Sequence, residues 1–295
     1  MGLIDESTRW FFLLPSSKEV EERHVYDVAF GIRILLAKKI QYKDITVFID
    51  MYVKDKVELV FSKIGIPLPS KIYSTSELEI CLENNVYKNA VVFVTGHGSE
   101  NGLDSVPPIT PYKLYEKFQT TINFRRVVFY FGQCYAGIFD YMPLSTHLEL
   151  SKNTKCNMVA IGSTGLSTSI SIPIEVSKVK WVANIFLFYV LHSIFYNKDI
   201  DGDGKFTVMD SFKVATINTN RYLKKQIKQS YTESLSQYFT LGVSIQTSES
   251  KDIADSYTDS LYLQRLALEK KLKKLDSIDQ IPWILNARIA MSTQF

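Results

Sequence analysis

Two residues of complementary chemistry each follow an apolar run and each stand close to glycine. His97 lies in Val91-Val92-Phe93-Val94-Thr95-Gly96-His97-Gly98-Ser99. Cys134 lies in Val127-Val128-Phe129-Tyr130-Phe131-Gly132-Gln133-Cys134-Tyr135-Ala136-Gly137. A thiolate nucleophile with an imidazole beside it as general base is the pairing used for covalent acyl transfer. The β-branched and aromatic runs read as buried strands, and open parallel sheets bind ligands at the carboxyl ends of their strands. About one helix plus one strand separates the two residues, as neighbouring parallel strands require. Gly98 would let the backbone approach a substrate carbonyl, its N–H serving an oxyanion hole. The plainer alternative is that Cys134 and His97 are ordinary core residues, since cysteine is among the most buried side chains.

A second pattern is suited to binding a hard cation. Residues 199–210, Asp-Ile-Asp-Gly-Asp-Gly-Lys-Phe-Thr-Val-Met-Asp, fit a twelve-residue EF-hand-type loop. Asp199, Asp201 and Asp203 fall at positions 1, 3 and 5, Gly204 at the sharp turn, and Lys205 would offer its backbone carbonyl. Asp210 takes the last position in place of the usual Glu, a shorter arm that predicts weaker Ca²⁺ binding or tolerance of Mg²⁺. Without a cation the same stretch would be an acidic turn held by Asx turns. No organic cofactor is expected.

These residues need elements to hold them. Trp10–Leu14, Ile45–Asp50, the two runs above and Asn157–Gly162 read as strands. Helices are expected at about 20–39, 76–85, 111–121, 137–150, 180–197 and 209–230. Alternation of this kind predicts an α/β fold, a mostly parallel sheet covered by helices on both faces. Residues 1–245 would form that domain, with the acidic loop inside it. The Ser/Thr/Asp-rich stretch 246–260 would be a linker, and 261–295 a C-terminal helical segment. There Leu261, Leu268, Leu272 and Leu275 share a face beside lysines 270, 271, 273 and 274. That face would pack back onto the domain or recruit a regulatory protein partner.

Composition narrows the function classes. The 295 residues are 46% hydrophobic with a net charge of +3, values of a globular chain and not of a dedicated nucleic-acid binder. Cys81, Cys134 and Cys156 form neither an even set nor a metal-ligand spacing, which suits a reducing compartment. Residues 181–196 are too short for a membrane span, and Trp10–Leu14 is too brief for a secretory leader. Gly2 lacks the downstream Ser or Thr of an acylation signal, since residue 6 is Glu. The expectation is a cytoplasmic protein with neither nucleic-acid nor membrane partners. No phosphate-binding glycine loop is present.

The blocks Thr95-Gly96-His97-Gly98-Ser99 and Gly132-Gln133-Cys134-Tyr135-Ala136-Gly137 resemble those of the caspase-like cysteine peptidases, the clan of caspases, legumains, gingipains and separases. Arg23-His24-Val25-Tyr26-Asp27, at the start of the first helix, resembles the Arg-His and Asp of the legumain branch. The resemblance spans roughly residues 8–170 and implies a caspase-like sheet. It implies Cys134 as nucleophile, His97 as general acid/base, Gly98 and Cys134 amides as oxyanion donors, and a protein or peptide substrate. It also implies that Arg23 and His24 line the pocket for the residue before the scissile bond, with Ser163 at its edge. Two departures bear on specificity. Gly132 stands where legumains carry an acid, and Lys180 and Trp181 occupy the region of the second pocket acid. An Arg23 without acidic neighbours would favour Asp or Asn in the substrate. The alternatives are an inert or calcium-responsive scaffold of the same fold, and a transpeptidase or ligase in which an amine replaces water.

Overall fold

The computed structural model describes residues 2–140, 156–250, 255–276 and 280–295. The first half alternates strand and helix: β1 (Thr8–Leu14), α1 (Glu22–Ala37), β2 (Ile45–Ile49), α2 (Lys54–Ile64), β3 (Ile72–Tyr73), α3 (Leu78–Glu83) and β4 (Asn89–Val94). A short ladder of β5 (Gly98–Ser99) and β6 (Gly102–Leu103) leads to α4 (Pro111–Thr120), where Pro111 fills the first helical turn and Thr110 Oγ1 caps Lys113 N–H. Then come β7 (Arg126–Phe131), β8 (Asn157–Gly162), the hairpin β9 (Ser171–Val176) and β10 (Val179–Asn184), and α5 (Ile185–Tyr196). The chain closes with α6 (Val208–Ser250), α7 (Asp255–Asp276), β11 (Trp283–Leu285) and α8 (Ala287–Ser292).

Seven strands form one sheet in the order β11-β8-β7-β4-β1-β2-β3, parallel throughout except for β11. Alternation along each strand sends side chains to two buried faces. Trp10, Phe12, Phe93 and Tyr130 pack with residues of α1, α2 and α5 on one face. Phe11, Leu13, Phe129 and Phe131 pack with residues of α3 and α4 on the other. Burying both faces is what the near-continuous apolar runs reflect, at about 1.5–3 kcal/mol for each large apolar side chain. The chain moves outward from β1 through β2 to β3, then returns to place β4 on the other side of β1. The sheet therefore has a topological switch point between β1 and β4, and the crevice at their carboxyl ends is its natural ligand site.

Three expectations are corrected. The helix expected from residue 180 starts at Ile185, because Val179–Asn184 alternates between exposed and buried and pairs with β9. Asn184 Oδ1 then caps Leu187 N–H at 2.9 Å. The linker expected over 246–260 is helical up to Ser250 and again from Asp255. Its hydroxyls bond back along the helix, as in Thr247 Oγ1 to Val243 O (2.8 Å) and Ser248 Oγ to Ser244 O (2.9 Å), so the polar composition does not interrupt α6. The C-terminal segment 261–295 is not wholly helical: Trp283–Leu285 adds to the sheet beside β8, with the Trp283 indole seated over Gly162 and donating to Thr164 O at 2.9 Å. The helix expected over 137–150 lies, beyond Asp140, outside the described residues; Ala136–Phe139 is a 3₁₀ turn.

The chain divides into two compact units, Met1–Ile217 with Gln280–Phe295, and Asn218–Asp279. Within the second, Arg265 stacks over the Tyr238 ring at 4.4 Å and Tyr262 donates to Glu249 at 2.6 Å. Leu261 is buried there, while Leu263 and Leu266 are exposed. No described helix is long and apolar enough to cross a membrane.

Candidate active site

His97 and Cys134 follow β4 and β7, which pair directly, with Val94 opposite Phe131. Their loops touch through the backbone. A Cβ at Gly98 would lie 2.3 Å from the Cys134 carbonyl oxygen and 2.5 Å from Gln133 Cγ, so only glycine allows this approach. Cys134 is half-buried and its Sγ accepts the Ser169 N–H at 3.3 Å. Its own amide has no acceptor among the described residues. Tyr135, immediately after it, adopts φ 54°, a left-handed conformation that a non-glycine residue holds only when its surroundings impose it. Here Tyr135 N–H donates to Ser167 O (2.8 Å) and Gly137 N–H to Gly165 O (3.1 Å), pinning the turn against the loop after β8. Burial pushes the Cys156 thiol up to about 12 and raises that of Cys81.

Glu21, at the N-terminus of α1, is a site residue that sequence reasoning missed. Its Oε1 lies 2.8 Å from His97 Nε2, and its Oε2 lies 2.5 Å from Arg23 Nε. The Arg23 hydrogen bond and charge, with His97 assisting, hold the Glu21 carboxyl down at about 2. Nothing in the pattern Glu21-Glu22 marks one acid over the other; only the fold brings Glu21 to His97. No hydrogen bond joins His97 to Cys134. Because Nε2 is engaged with Glu21, any proton transfer by this imidazole would run through Nδ1.

The predicted substrate-pocket residues fare differently. Arg23 is partly exposed and reaches Ser171 Oγ at 3.1 Å, but it has an acidic neighbour in Glu21, so the expectation of an unaccompanied cation is wrong. His24 does not line an open pocket. It is buried, stacked edge-on against His97 with ring centroids 5.2 Å apart, and burial pushes its pKa down to about 3, leaving a neutral imidazole. Its Nδ1 lies 3.3 Å from Thr95 Oγ1, which lies 3.2 Å from Asp27 Oδ2. Asp27 also accepts Trp181 Nε1–H (3.0 Å) and Asn184 N–H (3.3 Å), and burial raises its pKa to about 7. Ser163 is completely buried; its hydroxyl donates to Gly132 O at 3.2 Å, so it supports the Cys134 turn from beneath and touches no open pocket. Gly132 itself has no room for an acid, since a Cβ there would lie 2.4 Å from Leu187 Cδ1.

Behind these loops Asp50, at the end of β2, accepts Thr75 N–H (2.7 Å), Thr75 Oγ1–H (2.6 Å) and Ser74 Oγ–H (2.9 Å). Longer bonds from Ser105 Oγ (3.3 Å) and Ser16 N–H (3.4 Å) join them, so one carboxylate ties four segments on this side of the sheet.

The acidic loop folds as a turn with Gly202 and Gly204 at positive φ. Asp199, Asp201 and Asp203 bring carboxylate oxygens within 4.8 Å of one another. Asp199 also accepts Gly202 N–H and Gly204 N–H, Asp203 accepts Lys205 N–H, and Lys213 pairs with Asp201 at 2.9 Å. Asp210 stands apart from the trio. It is buried and accepts Thr207 N–H (2.9 Å), Thr207 Oγ1–H (2.6 Å) and Ile200 N–H (3.3 Å), and its own N–H returns to Thr207 Oγ1. That is a capping box at the start of α6, and the clustered carboxylates are those of Asp199, Asp201 and Asp203.

No family model matches the chain, and no curated protein matches it.

Proposed function

We propose that the protein is a caspase-like cysteine endopeptidase of legumain type, cleaving protein substrates through an acyl-enzyme on Cys134. The observation that carries this reading is the backbone contact between Gly98 and Cys134, which brings the His97 and Cys134 loops together at the carboxyl edge of adjacent parallel strands. Cys134 Sγ attacks the scissile carbonyl carbon while its proton passes to His97, and the unengaged Cys134 amide stabilises the oxyanion. Collapse breaks the C–N bond as His97 returns the proton to the leaving amine. Water then attacks the thioester, giving a carboxylic acid and the free thiol. Glu21 orients the imidazole throughout. Asp199, Asp201 and Asp203, with the Lys205 carbonyl, are assigned to one Ca²⁺ or Mg²⁺ ion with a structural role. The donor types suit a hard cation, and Asp210, engaged with Thr207, stands outside the clustered trio.

Labelling with an acyl-directed electrophile, with and without calcium, tests the reading by peptide mass mapping. Modification confined to Cys134 and lost in Cys134→Ala and His97→Ala is the expected outcome, with buried Cys156 silent. Equal, slow reaction of all three thiols would favour the scaffold alternative. Amide-bond exchange with an added amine would favour the ligase.

A further inference from the structure

The Glu21, His24 and His97 cluster has a property that acyl transfer does not use. One ligand atom from each of the three side chains lies within 4.8 Å of the other two. His24 is only 5% exposed, yet its Nε2 has no hydrogen-bond partner among the described residues. The network around its other nitrogen explains the orientation. Thr95 Oγ1–H points to Asp27 Oδ2, which leaves Thr95 Oγ1 able to accept from His24 Nδ1–H in the tautomer whose Nε2 is bare. In that tautomer Nε2 is a lone pair buried with no donor among the described residues, a state that costs free energy unless something fills it. A carboxylate–hydroxyl relay on the far nitrogen of a histidine is also the outer-shell arrangement of metal-ligating imidazoles.

We infer that Glu21 Oε1, His24 Nε2 and His97 Nε2 form a three-ligand site for a borderline-soft dication, Zn²⁺ by choice of donors, with water completing a tetrahedron. Two imidazoles and one carboxylate are a zinc donor set, and hard Ca²⁺ or Mg²⁺ would not select it. Zn–N and Zn–O bonds near 2.0–2.1 Å put tetrahedral ligand atoms about 3.3 Å apart. The 2.8 Å Glu21–His97 contact opens slightly to admit the ion, which displaces the proton between them. Arg23 already occupies Glu21 Oε2, so the carboxylate binds through one oxygen, and the guanidinium charge weakens the site. The three residues are scattered in sequence, Glu21-x-x-His24 on α1 and His97 after β4, which is why no ligand spacing is visible in one dimension. Zinc on His97 Nε2 fixes the remaining ring proton on Nδ1 and takes away the base. Inhibition by zinc rests on the peptidase reading; binding does not.

The test is calorimetric titration of the full chain with zinc, paired with cobalt absorption as a report on ligand type. One equivalent should bind, with imidazole–carboxylate cobalt bands. Glu21→Gln and His24→Gln should each weaken binding at least ~10-fold, and Arg23→Ala should tighten it. Glu21 is exposed, so its variant keeps the test sound if His24→Gln fails to fold. The site is refuted by no binding heat up to millimolar zinc, by affinity unchanged in Glu21→Gln, by weaker binding in Arg23→Ala, or by a strong thiolate-to-cobalt band. Zinc binding with this mutational pattern in a protein without peptidase activity would retain the site and reject the enzyme. Peptidase activity indifferent to zinc, with no binding, would do the reverse.

Discussion

Asp27 and His24 make opposite and nearly cancelling demands on stability, and substituting one should expose the other. Burial raises Asp27 from 3.8 to about 7, so the folded state holds a proton that the unfolded chain releases, and stability falls as pH rises through that interval. A difference of about 3 at about 1.36 kcal/mol per pH unit is about 4 kcal/mol. Burial lowers His24 from 6.5 to about 3, so the unfolded chain takes up a proton that the folded state refuses. Its stability contribution is present above 6.5 and is lost as pH falls towards 3, about 5 kcal/mol in all. Between 3.8 and 6.5 the two slopes oppose and cancel. Asp27→Asn removes one. Relative to wild type, the variant should therefore gain about 1.36 kcal/mol per pH unit, roughly 3 kcal/mol between pH 4.5 and 7. This gain sits on a constant loss, because an amide nitrogen now faces Asn184 N–H. Urea unfolding of both proteins at several pH values gives the difference curve. A difference that does not vary with pH would refute the assignment of a raised, buried Asp27.

Two further substitutions probe the scaffold. Asp50→Ala strands the buried Thr75 N–H and hydroxyl together with Ser74 Oγ; about 2–4 kcal/mol of stability should be lost in denaturant unfolding, and Cys134 labelling should fall with it. At the acidic loop, Asp201→Asn should weaken calcium binding by calorimetry while barely moving the unfolding midpoint without calcium. Asp210→Ala should instead lower stability by about 1–2 kcal/mol whether or not calcium is present, as loss of a helix cap does. Equal calcium-affinity losses in both would return Asp210 to the ligand set.

Local pattern determined much of this protein. Continuous apolar runs required strands buried on both faces, and helical spacing required α1 and α4. A glycine after each run ended β4 and β7 where His97 and Cys134 could emerge. These features depend on neighbours within a few residues, so they are legible in one dimension. Tertiary structure decided the rest. Glu21 meets His97 only because the switch point between β1 and β4 sets the start of α1 beside the β4 loop. His24 and Ser163 left the substrate pocket because burial, which no short window encodes, enclosed them. Asp210 matched a ligand position by spacing, but Thr207 three residues earlier claimed its carboxylate as a cap. Trp283 joined the sheet because Gly162, more than a hundred residues away, left room for an indole. Each outcome was set by through-space competition for a hydrogen bond or a volume, and such competition has no period in the sequence.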